Sequence, residues 1–590
     1  MRHEHRLPFG ATLLSDGLTS FRLWAPGVDT VELLVDGQPP QAMRREPDGW
    51  VALEASCGAG ARYLFRLPDG REVPDPASRF QPRDVGGPSE VIDPRAYDWQ
   101  QEDWIGRPWT EAVIYELHAG TCGGYDGVRE RLPDLAELGI TAIELMPLAD
   151  FAGRRNWGYD GVLPFAPDAA YGDPVQLKQL IDAAHAQGIM VLLDVVYNHF
   201  GPEGNHLQAY APQFFRGDRQ TPWGAAIDFR RPEVRSFYVE NALYWLEEYR
   251  FDGLRFDAVH AIQDPDFVDE LGALLRQRVG AARHIHLVLE NERNEARHLQ
   301  GSFSAQWNDD IHNAIHVMLT GESEGYYANY ADDPAAQLAR CLAEGFAYQG
   351  QPSPSHGGAP RGSDSRGLPP YSFVFFLQNH DQIGNRALGE RLSVLAHPES
   401  LRAAIALQLL SPQIPLLFMG EEWGSRSPFL FFTDFQGPLA EAVREGRRRE
   451  FAAFSAFRSD KARAAIPDPN DEATFRRSIA DPAEASDPAQ RARRLEVGRL
   501  LALRRDRLMP RLHGSRSTGA QRLSAGAVHA SWRLGDGAAL QAWVNLHEAP
   551  VAVPPQAGML LYGTAPDLAT AMAAGELPGR RCAVYLQEPA

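Results

Sequence analysis

The sequence predicts an α/β protein in which a (β/α)8 TIM barrel is flanked by an N-terminal β-sandwich and a small C-terminal β-domain. Two observations support this prediction. In the middle of the chain short apolar runs alternate with amphipathic helical segments, and at both ends short strand-like runs alternate with turn residues. The predicted domains are residues 1–105 for the sandwich, 106–512 for the barrel and 513–590 for the C-terminal domain.

The first hundred residues have the pattern of a small all-β unit. Phe21–Trp24 and Val31–Val35 are strand-like, and turn signals such as Pro68-Asp69-Gly70 punctuate the stretch. Short strands at this spacing predict a β-sandwich. Residues 74–104, rich in Pro and Asp, then predict a linker to the next domain.

From Val113 onward eight apolar runs alternate with amphipathic segments. Such alternation indicates βαβ units, and eight units in one block favour a closed barrel over an open sheet. In chain order the runs are Val113–Leu117, Ala142–Met146, Met190–Val196, Gly253–Phe256, Leu287–Leu289, Ala305–Trp307, Phe373–Leu377 and Pro415–Met419. The clearest helical segments are Val128–Leu138, Pro174–Gln187 and Pro232–Tyr249. Residues 351–370, rich in Gly, Pro and Ser, predict a flexible surface loop.

After Leu512 the pattern returns to short strands. Val528–Leu534 and Leu540–Leu546 flank Gly535-Asp536-Gly537, which predicts a β-hairpin. Val584–Leu586 ends the chain in the same style, so we predict a small β-domain.

Composition argues against several classes of protein. The 590 residues include 77 acidic and 58 basic side chains, and the net charge of −19 disfavours a nucleic-acid partner. The four cysteines form no CxxC pair, which argues against a disulfide scaffold or a zinc ribbon and fits a cytoplasmic protein. No signal peptide is predicted, and no stretch reaches the roughly 18 apolar residues of a membrane span. His3 and His5 are expected to be disordered.

Acidic residues follow four of the eight runs. Asp194, Asp257, Glu290 and Asp381 each stand at or just past the end of a predicted strand. In a barrel these positions meet at the C-terminal rim, where active sites form. Asp257 and Glu290 follow consecutive strands, so we expect them side by side. Arg255, two residues before Asp257, points to the same side of its strand.

Asp257 and Glu290 together have the chemistry that a glycosidase needs. The guanidinium beside Asp257 favours an ionised nucleophile, whereas the apolar run and like charges around Glu290 favour a protonated general acid. Adjacent strand ends can supply the separation of about 5 Å that retaining enzymes use. A lone Asp at a strand end is more often a helix cap, and carboxylates can also bind metals, but Arg255 disfavours a cation here. We therefore predict no metal and no cofactor.

Four motifs in chain order resemble those of the α-amylase superfamily, glycoside hydrolase family 13, namely Asp194–His199, Gly253–His260, Leu289–Asn291 and Asn379–Asp381. The resemblance implies that Asp257 is the nucleophile, Glu290 the acid/base and Asp381 the transition-state stabiliser. It also implies that the first sugar of the cleaved bond is surrounded by Asp194, His199, Arg255 and His380.

Finer features are similar to one branch of that family, whose members release trehalose from maltooligosyltrehalose. The segments that carry this likeness include Asn156–Gly161, Gly201–Asn205, Thr221–Gly224, Gln306–Asp310, Gln378–Arg386 and Phe418–Gly424. The likeness implies hydrolysis of the α-1,4 bond between a maltooligosaccharide and a terminal trehalose, with a maltooligosyltrehalose synthase as functional partner. Residues 121–127 and 291–294 depart from the usual pattern of that branch.

Aromatic residues in the predicted βα loops are candidate platforms for sugar rings, because an aromatic face can stack on the apolar side of glucose. Tyr159 is favoured among them, and core packing is an equally good reading of each of the others, Trp157, Trp223 and Trp307. His260, three residues past Asp257, is placed to reach a sugar of the leaving group.

Two alternatives to the trehalose-releasing activity stay open. The shared motifs also fit a glucan branching or debranching enzyme, which would differ in its product. A catalytically inactive barrel that binds glucan is the second alternative, and the presence of all three carboxylates argues against it.

Overall fold

The computed structural model describes residues 3–221 and 224–589. At its centre eight parallel strands pair in chain order, and the last pairs with the first to close a barrel. The strands are β1 Ile114–Leu117, β2 Ala142–Leu145, β3 Met190–Val195, β4 Gly253–Phe256, β5 His286–Leu289, β6 Ala305–Trp307, β7 Phe373–Phe376 and β8 Ile414–Phe418. Each overlaps one of the predicted runs, so the predicted barrel is confirmed.

Long helices surround the barrel, namely α1 Gly124–Leu138, α2 Pro174–Ala186, α3 Pro232–Leu243, α4 Pro265–Val279, α5 Asp309–Thr320, α6 Pro334–Glu344, α7 Pro398–Leu410, α8 Gly437–Glu450 and α9 Pro488–Leu503. Their starts follow from residue type. Before α2, the Asp173 side chain accepts from the Gln176 N–H at 2.8 Å, and the Gln176 side chain accepts from the Asp173 N–H at 2.9 Å. Residues 290–304, between β5 and β6, form turns without a helix, because they lack the apolar periodicity that a helix needs.

Shorter elements lie in the connections between the barrel strands and in the C-terminal part of the chain. The connection from β3 to α3 contains the paired strands Phe215–Thr221 and Gly224–Ile227. Other short pairs join Ala149–Asp150 to Leu163–Pro167 and Gln351–Pro352 to Pro360–Arg361. The short helices are Leu207–Tyr210, His380–Gly384, Leu392–Leu395, Asp460–Ala464, Glu472–Arg477 and Leu568–Ala573.

Alternation along the barrel strands gives the barrel interior an apolar base and a polar top. Ile114, Ala142 and Leu192 belong to one apolar cluster inside the barrel. The next residue along each strand points the other way and packs into the larger core that includes the helices. Two residues further along β1, β2 and β3, the same inward face carries the buried side chains of Glu116, Glu144 and Asp194. The polar top of the interior is the floor of the site described below.

The N-terminal part is a sandwich of two antiparallel sheets, as predicted. One sheet contains Gly10–Ser15, Leu18–Trp24, Trp50–Ala55 and Arg44–Arg45. The other contains Gln41–Ala42, Glu32–Val35, Arg62–Arg66 and Glu72–Val73, and Ser89–Glu90 pairs with its third strand. Phe21 and Tyr63 meet between the sheets with ring centroids 4.7 Å apart.

The N-terminal segment and the predicted linker are packed against the barrel. His5 is buried, and its Nδ1 and Nε2 each lie 2.7 Å from a carboxylate, those of Glu247 and Glu240. The expectation that His5 is disordered is therefore wrong, because two barrel carboxylates hold it. Within the linker, Arg79 is buried and donates to Glu248 at 2.7 Å.

The C-terminal part is an antiparallel sheet whose strands, in spatial order, are Arg516–Ser524, Ala527–Arg533, Ala539–Asn545, Arg581–Gln587 and Met559–Gly563. The second and third strands form the predicted hairpin. Beside them, Val551–Ala552 pairs with Glu576–Leu577. Trp532 donates its indole N–H to the Leu342 carbonyl of α6 at 3.2 Å, which fixes the sheet to the barrel. The domain boundaries at residues 105 and 512 stay a prediction.

Residues 351–370 are anchored at their centre, where the sequence predicts a flexible loop. Arg361 is buried and forms an ion pair with Asp310 at 3.2 Å. Among the described residues, none of the helices has the length and apolar character needed to cross a bilayer.

Candidate active site

Arg255 is the central residue of the polar layer at the C-terminal end of the barrel. Its buried guanidinium donates through Nη1 to Asp194 at 2.8 Å and to Asp257 at 3.0 Å. Its Nη2 lies 3.0 Å from Glu290 Oε2, and its Cζ lies 4.1 Å from the centroid of the Trp307 ring. One cation therefore joins carboxylates from three neighbouring strand ends.

Asp257 and Glu290 are each held by a second group besides Arg255. Asn198 Nδ2 donates to Asp257 Oδ2 at 2.8 Å. The Ala258 N–H donates to Glu290 Oε2 at 2.8 Å, and the left-handed φ of 40° at Ala258 is a strained conformation that keeps this contact in place. The two carboxylates thus keep a fixed relation and stay partly open, with side chains 12% and 18% exposed.

Asp381 stands on the short helix that follows β7. The Asn379 side chain accepts from the Asp381 N–H at 2.9 Å, and Asn385 Nδ2 donates to Asp381 Oδ1 at 3.1 Å. The Asp381 side chain is 35% exposed, whereas Asp194 is only 1% exposed. Three carboxylates therefore face solvent in this region, and Asp194 supports them from below.

His380 is held from below by Glu116 of β1. Glu116 accepts from the His380 backbone N–H at 3.1 Å, and its other oxygen lies 2.5 Å from Nδ1. Burial lowers the pKa of His380, but the Glu116 and Asp381 carboxylates outweigh burial and raise the pKa to about 9. The ring therefore carries a positive charge at neutral pH.

Tyr159 links His380 to Asp194. Its ring stacks on that of His380 with centroids 5.1 Å apart, and its hydroxyl donates to Asp194 Oδ2 at 2.6 Å. Burial raises the pKa of Asp194 to about 7, although Arg255 and the Tyr159 hydroxyl favour the ionised form. Asp194 therefore takes up a proton more readily than an exposed carboxylate does.

Trp157 and Trp307, predicted as sugar platforms, are covered by neighbouring side chains. Trp157 is 4% exposed, stacks on Phe429 at 5.5 Å and meets the edge of His380. Trp307 is 1% exposed and faces Arg255. The burial of both rings favours core packing, one of the two readings that the sequence left open, over stacking on sugar.

The two predicted histidines besides His380 occupy different places. His199 belongs to the site, because its Nε2 lies 3.0 Å from the Tyr159 carbonyl and its Nδ1 lies 2.5 Å from Asn198 Oδ1. Burial lowers the pKa of His199, so the ring is neutral at pH 7. His260 lies outside the Arg255 cluster, where its Nε2 is 3.7 Å from Glu292. Trp223 lies outside the described residues.

Sequence reasoning assigned no role to three buried residues of the site. Glu116 and Glu144 interrupt the apolar runs of β1 and β2, and a charged residue inside a buried strand is the signal that could have found them. Asn198 stands in a motif of β3 but was not placed against Asp257. Its contact with the Asp257 carboxylate depends on two strands meeting, which local sequence does not reveal.

Comparison with known proteins identifies the family. A family model described as the alpha amylase catalytic domain matches residues 109–215, and one described as a domain of unknown function (DUF3459) matches residues 515–584. A malto-oligosyltrehalose trehalohydrolase of Deinococcus radiodurans is 44% identical over 521 residues, which cover 86% of this chain and 84% of that protein. The chain belongs to the malto-oligosyltrehalose trehalohydrolase family. It is a glycoside hydrolase of the α-amylase family.

A further trehalohydrolase relative supports the family assignment, and solved structures support the fold. The malto-oligosyltrehalose trehalohydrolase of Saccharolobus solfataricus is 41% identical over 461 residues, covering 75% of this chain and 80% of that protein. A crystal structure of a Salmonella typhimurium protein described as an alpha amylase is 44% identical, with a TM-score of 0.93 and coverage of 99% of this chain and 100% of that one. The pullulanase of Paenibacillus barengoltzii, 21% identical with a TM-score of 0.71 and coverage of 99% and 94%, shares the fold.

In this member of the trehalohydrolase family, Glu116→Gln is expected to destabilise the fold most at low pH. The folded pKa of His380 is about 9 and its unfolded pKa is about 6.5. Protonation of His380 therefore stabilises the fold fully below pH 6.5, and this contribution is lost as pH rises through about 9. We expect the variant to lose about 3 kcal/mol of unfolding free energy at pH 6 and much less at pH 10, measured by urea unfolding.

A matched control for this measurement is Glu441→Gln on α8, which removes a solvent-exposed partner of Arg444. It should change the unfolding free energy by less than about 0.5 kcal/mol at every pH. An equal loss of stability at pH 6 and pH 10 in Glu116→Gln would contradict the charged pair.

Proposed function

We propose that this protein hydrolyses the α-1,4 bond that joins a maltooligosaccharide to a terminal trehalose, releasing trehalose. The observation that carries the proposal is the contact of one guanidinium, that of Arg255, with both Asp257 and Glu290 at 3.0 Å. Two carboxylates held together at the rim of a barrel are the machinery of glycoside hydrolysis. The names of its trehalohydrolase relatives, 44% and 41% identical, supply the substrate.

In the first step Glu290 protonates the bridging oxygen while Asp257 attacks the anomeric carbon. The bond to trehalose breaks, and a covalent glycosyl-enzyme forms. Arg255 and Asn198 hold the two oxygens of the Asp257 carboxylate in position for this attack. The exposed side of Asp381 is available to stabilise the positive charge that develops on the sugar.

In the second step Glu290 acts as a base. It takes a proton from water, which attacks the same carbon and frees the maltooligosaccharide with its configuration retained. Around the sugar, His199, Tyr159 and the charged His380 offer hydrogen bonds to hydroxyl groups, and the buried Asp194 holds Tyr159 and Arg255 in place beneath them. His260, beside Glu292, is assigned to the leaving-group side.

A product analysis tests the proposal. Incubation with maltotriosyltrehalose is expected to give maltotriose and trehalose in equal amounts, because the scissile bond is the one next to trehalose. Plain maltopentaose should be cleaved at least about tenfold more slowly, since it lacks contacts that the trehalose unit makes, worth about 1.4 kcal/mol. Chromatography of both reactions, with Asp257→Asn as the inactive control, provides the measurement.

The other outcomes separate the alternatives. New α-1,6 linkages in amylose, detected by NMR, would indicate branching, and cleavage of α-1,6 bonds in branched glucan would indicate debranching. Binding of maltotriosyltrehalose without product would indicate an inactive barrel. If trehalose is released, the reaction that must supply the substrate is isomerisation of the reducing end of a maltooligosaccharide to trehalose, so we propose maltooligosyltrehalose synthase as the functional partner.

A further inference from the structure

Glu144 is a buried carboxyl group directly beneath the machinery described above. It lies in β2, where it pairs in register with Glu116 of β1 and with Leu192 of β3, two residues before Asp194. Because Ala142 belongs to the apolar cluster inside the barrel, the residue two positions later faces the same interior. Glu144 is 1% exposed, so it is one layer below Asp194 and Arg255 and out of reach of a substrate.

The surroundings of Glu144 disfavour a negative charge. Both of its carboxyl oxygens are buried, and no described protein group donates a hydrogen bond to either one. The cations in this region face other carboxylates: Arg255 contacts Asp194, Asp257 and Glu290, with no hydrogen-bond partner for its Nε among the described residues, and His380 contacts Glu116. Burying an ionised carboxylate without a partner is strongly unfavourable.

The charged groups around Glu144 lead to the same conclusion. Burial raises the pKa of Glu144 well above its usual range, and the carboxylates of Glu116 and Asp194 raise it further. Arg255 and His380 oppose this shift without cancelling it. Glu144 is thus faced by two acids, Glu116 of β1 and Asp194 of β3, and by two cations, Arg255 of β4 and His380 after β7. Both cations already form ion pairs with other carboxylates.

A protonated carboxyl group can donate a hydrogen bond, and an acceptor faces the same interior. Asp194 Oδ2 accepts hydrogen bonds from Arg255 and Tyr159, whereas Asp194 Oδ1 is buried and has no hydrogen-bond partner among the described residues. We propose that Glu144 is a positioning residue that acts as an uncharged acid, donating to Asp194 directly or through one water and leaving Arg255 free to serve Asp257 and Glu290. An ionised Glu144 would instead repel Asp194 and draw Arg255 downward.

This proposal rests on the hydrolase activity proposed above, and it predicts opposite behaviour for two neutral substitutions. Glu144→Gln keeps a donor, an acceptor and the shape of the side chain, so it should retain at least about a third of wild-type kcat. Glu144→Met removes both polar functions. It should still fold, with only a small change in Tm, because the cost of burying the polar carboxyl group is removed together with its hydrogen bond, yet lose about 10- to 100-fold in kcat.

The dependence of kcat on pH shows whether Glu144 positions Asp194 or only fills space in the core. In Glu144→Met, Asp194 loses a donor that favours its ionised form, so the acidic limb of kcat against pH should move to higher pH. In Glu144→Gln the limb should stay in place. Wild-type kcat and an unshifted pH profile in Glu144→Met would overturn the proposal. An equally large loss of kcat in Glu144→Gln and Glu144→Met would also overturn it, because it would show that a negative charge on Glu144 is needed.

An infrared measurement tests the protonation state without any activity. The difference spectrum of wild type minus Glu144→Gln at pH 7 should contain the C=O stretch of a protonated carboxyl group, and a carboxylate band in its place would refute the proposal even if Glu144→Met failed to fold. If wild type released no trehalose, the proposed function would fail, while the infrared result would still decide the state of Glu144.

Discussion

Glu290→Gln is expected to lose about three orders of magnitude or more in the release of trehalose from maltotriosyltrehalose, because general acid–base groups supply 10²- to 10⁴-fold. The amide has the shape of the acid but cannot protonate the bridging oxygen. With α-maltosyl fluoride, whose leaving group needs no protonation, the variant should still form the glycosyl-enzyme. It should then stall, because Glu290 is also the base that activates water.

Azide, used as an external nucleophile, tests the roles of Glu290 and Asp257 separately. As a small anion it attacks the glycosyl-enzyme without a base, so Glu290→Gln with α-maltosyl fluoride and azide should yield α-maltosyl azide. Asp257→Ala removes the opposite group, so azide can only enter from the vacated face and any product should be the β-azide. NMR of the products therefore assigns the acid/base and the nucleophile separately.

The control for these variants is Glu270→Gln on the outer helix α4, whose solvent-exposed carboxylate forms an ion pair with Arg235. It should retain wild-type kcat within about threefold, since surface charges rarely matter for chemistry. Retention of more than a tenth of wild-type activity in either Asp257→Ala or Glu290→Gln would contradict the assigned roles.

Arg255→Met is expected to have the largest combined effect on stability and activity. Arg255 is fully buried and contacts Asp194, Asp257 and Glu290, so its loss leaves three carboxylates facing one another. Breaking a buried ion pair from one side costs about 3–5 kcal/mol, and the carboxylates should take up a proton to relieve repulsion. We expect kcat to fall by at least about 100-fold, because a protonated Asp257 is a poor nucleophile.

Arg504→Met is the matched control for this variant. Arg504 is also fully buried, but its partners among the described residues are backbone carbonyls, those of Leu409, Ser411 and Gln413. It should lower the unfolding free energy in urea while the folded fraction keeps wild-type kcat. Should Arg255→Met not fold, Arg255→Lys tests the same point, since a single ammonium cannot serve three carboxylates in fixed directions. Equal kcat values for Arg255→Lys and wild type would contradict the role given to the guanidinium.

The sequence by itself determined the barrel and the place of its chemistry. Strand and helix periodicity are local properties, so eight alternating units could be read directly, and consecutive strands of a closed barrel could be expected to lie side by side. Asp194, Asp257, Glu290 and Asp381 could be assigned to one rim because parallel strands end on the same side. Arg255 could be assigned to Asp257 because two residues in a strand share a face.

Only the tertiary structure decided which of these groups touch. Glu116 and His380 are 264 residues apart and meet because β8 pairs with β1 and closes the ring. Pairing of β2 with β3 places Glu144 one layer below Asp194, and side chains from other segments cover Trp157 and Trp307. Docking of the N-terminal segment places His5 between two barrel carboxylates. Burial and the partner of a charge depend on contacts between distant parts of the chain, which local patterns of residues do not encode.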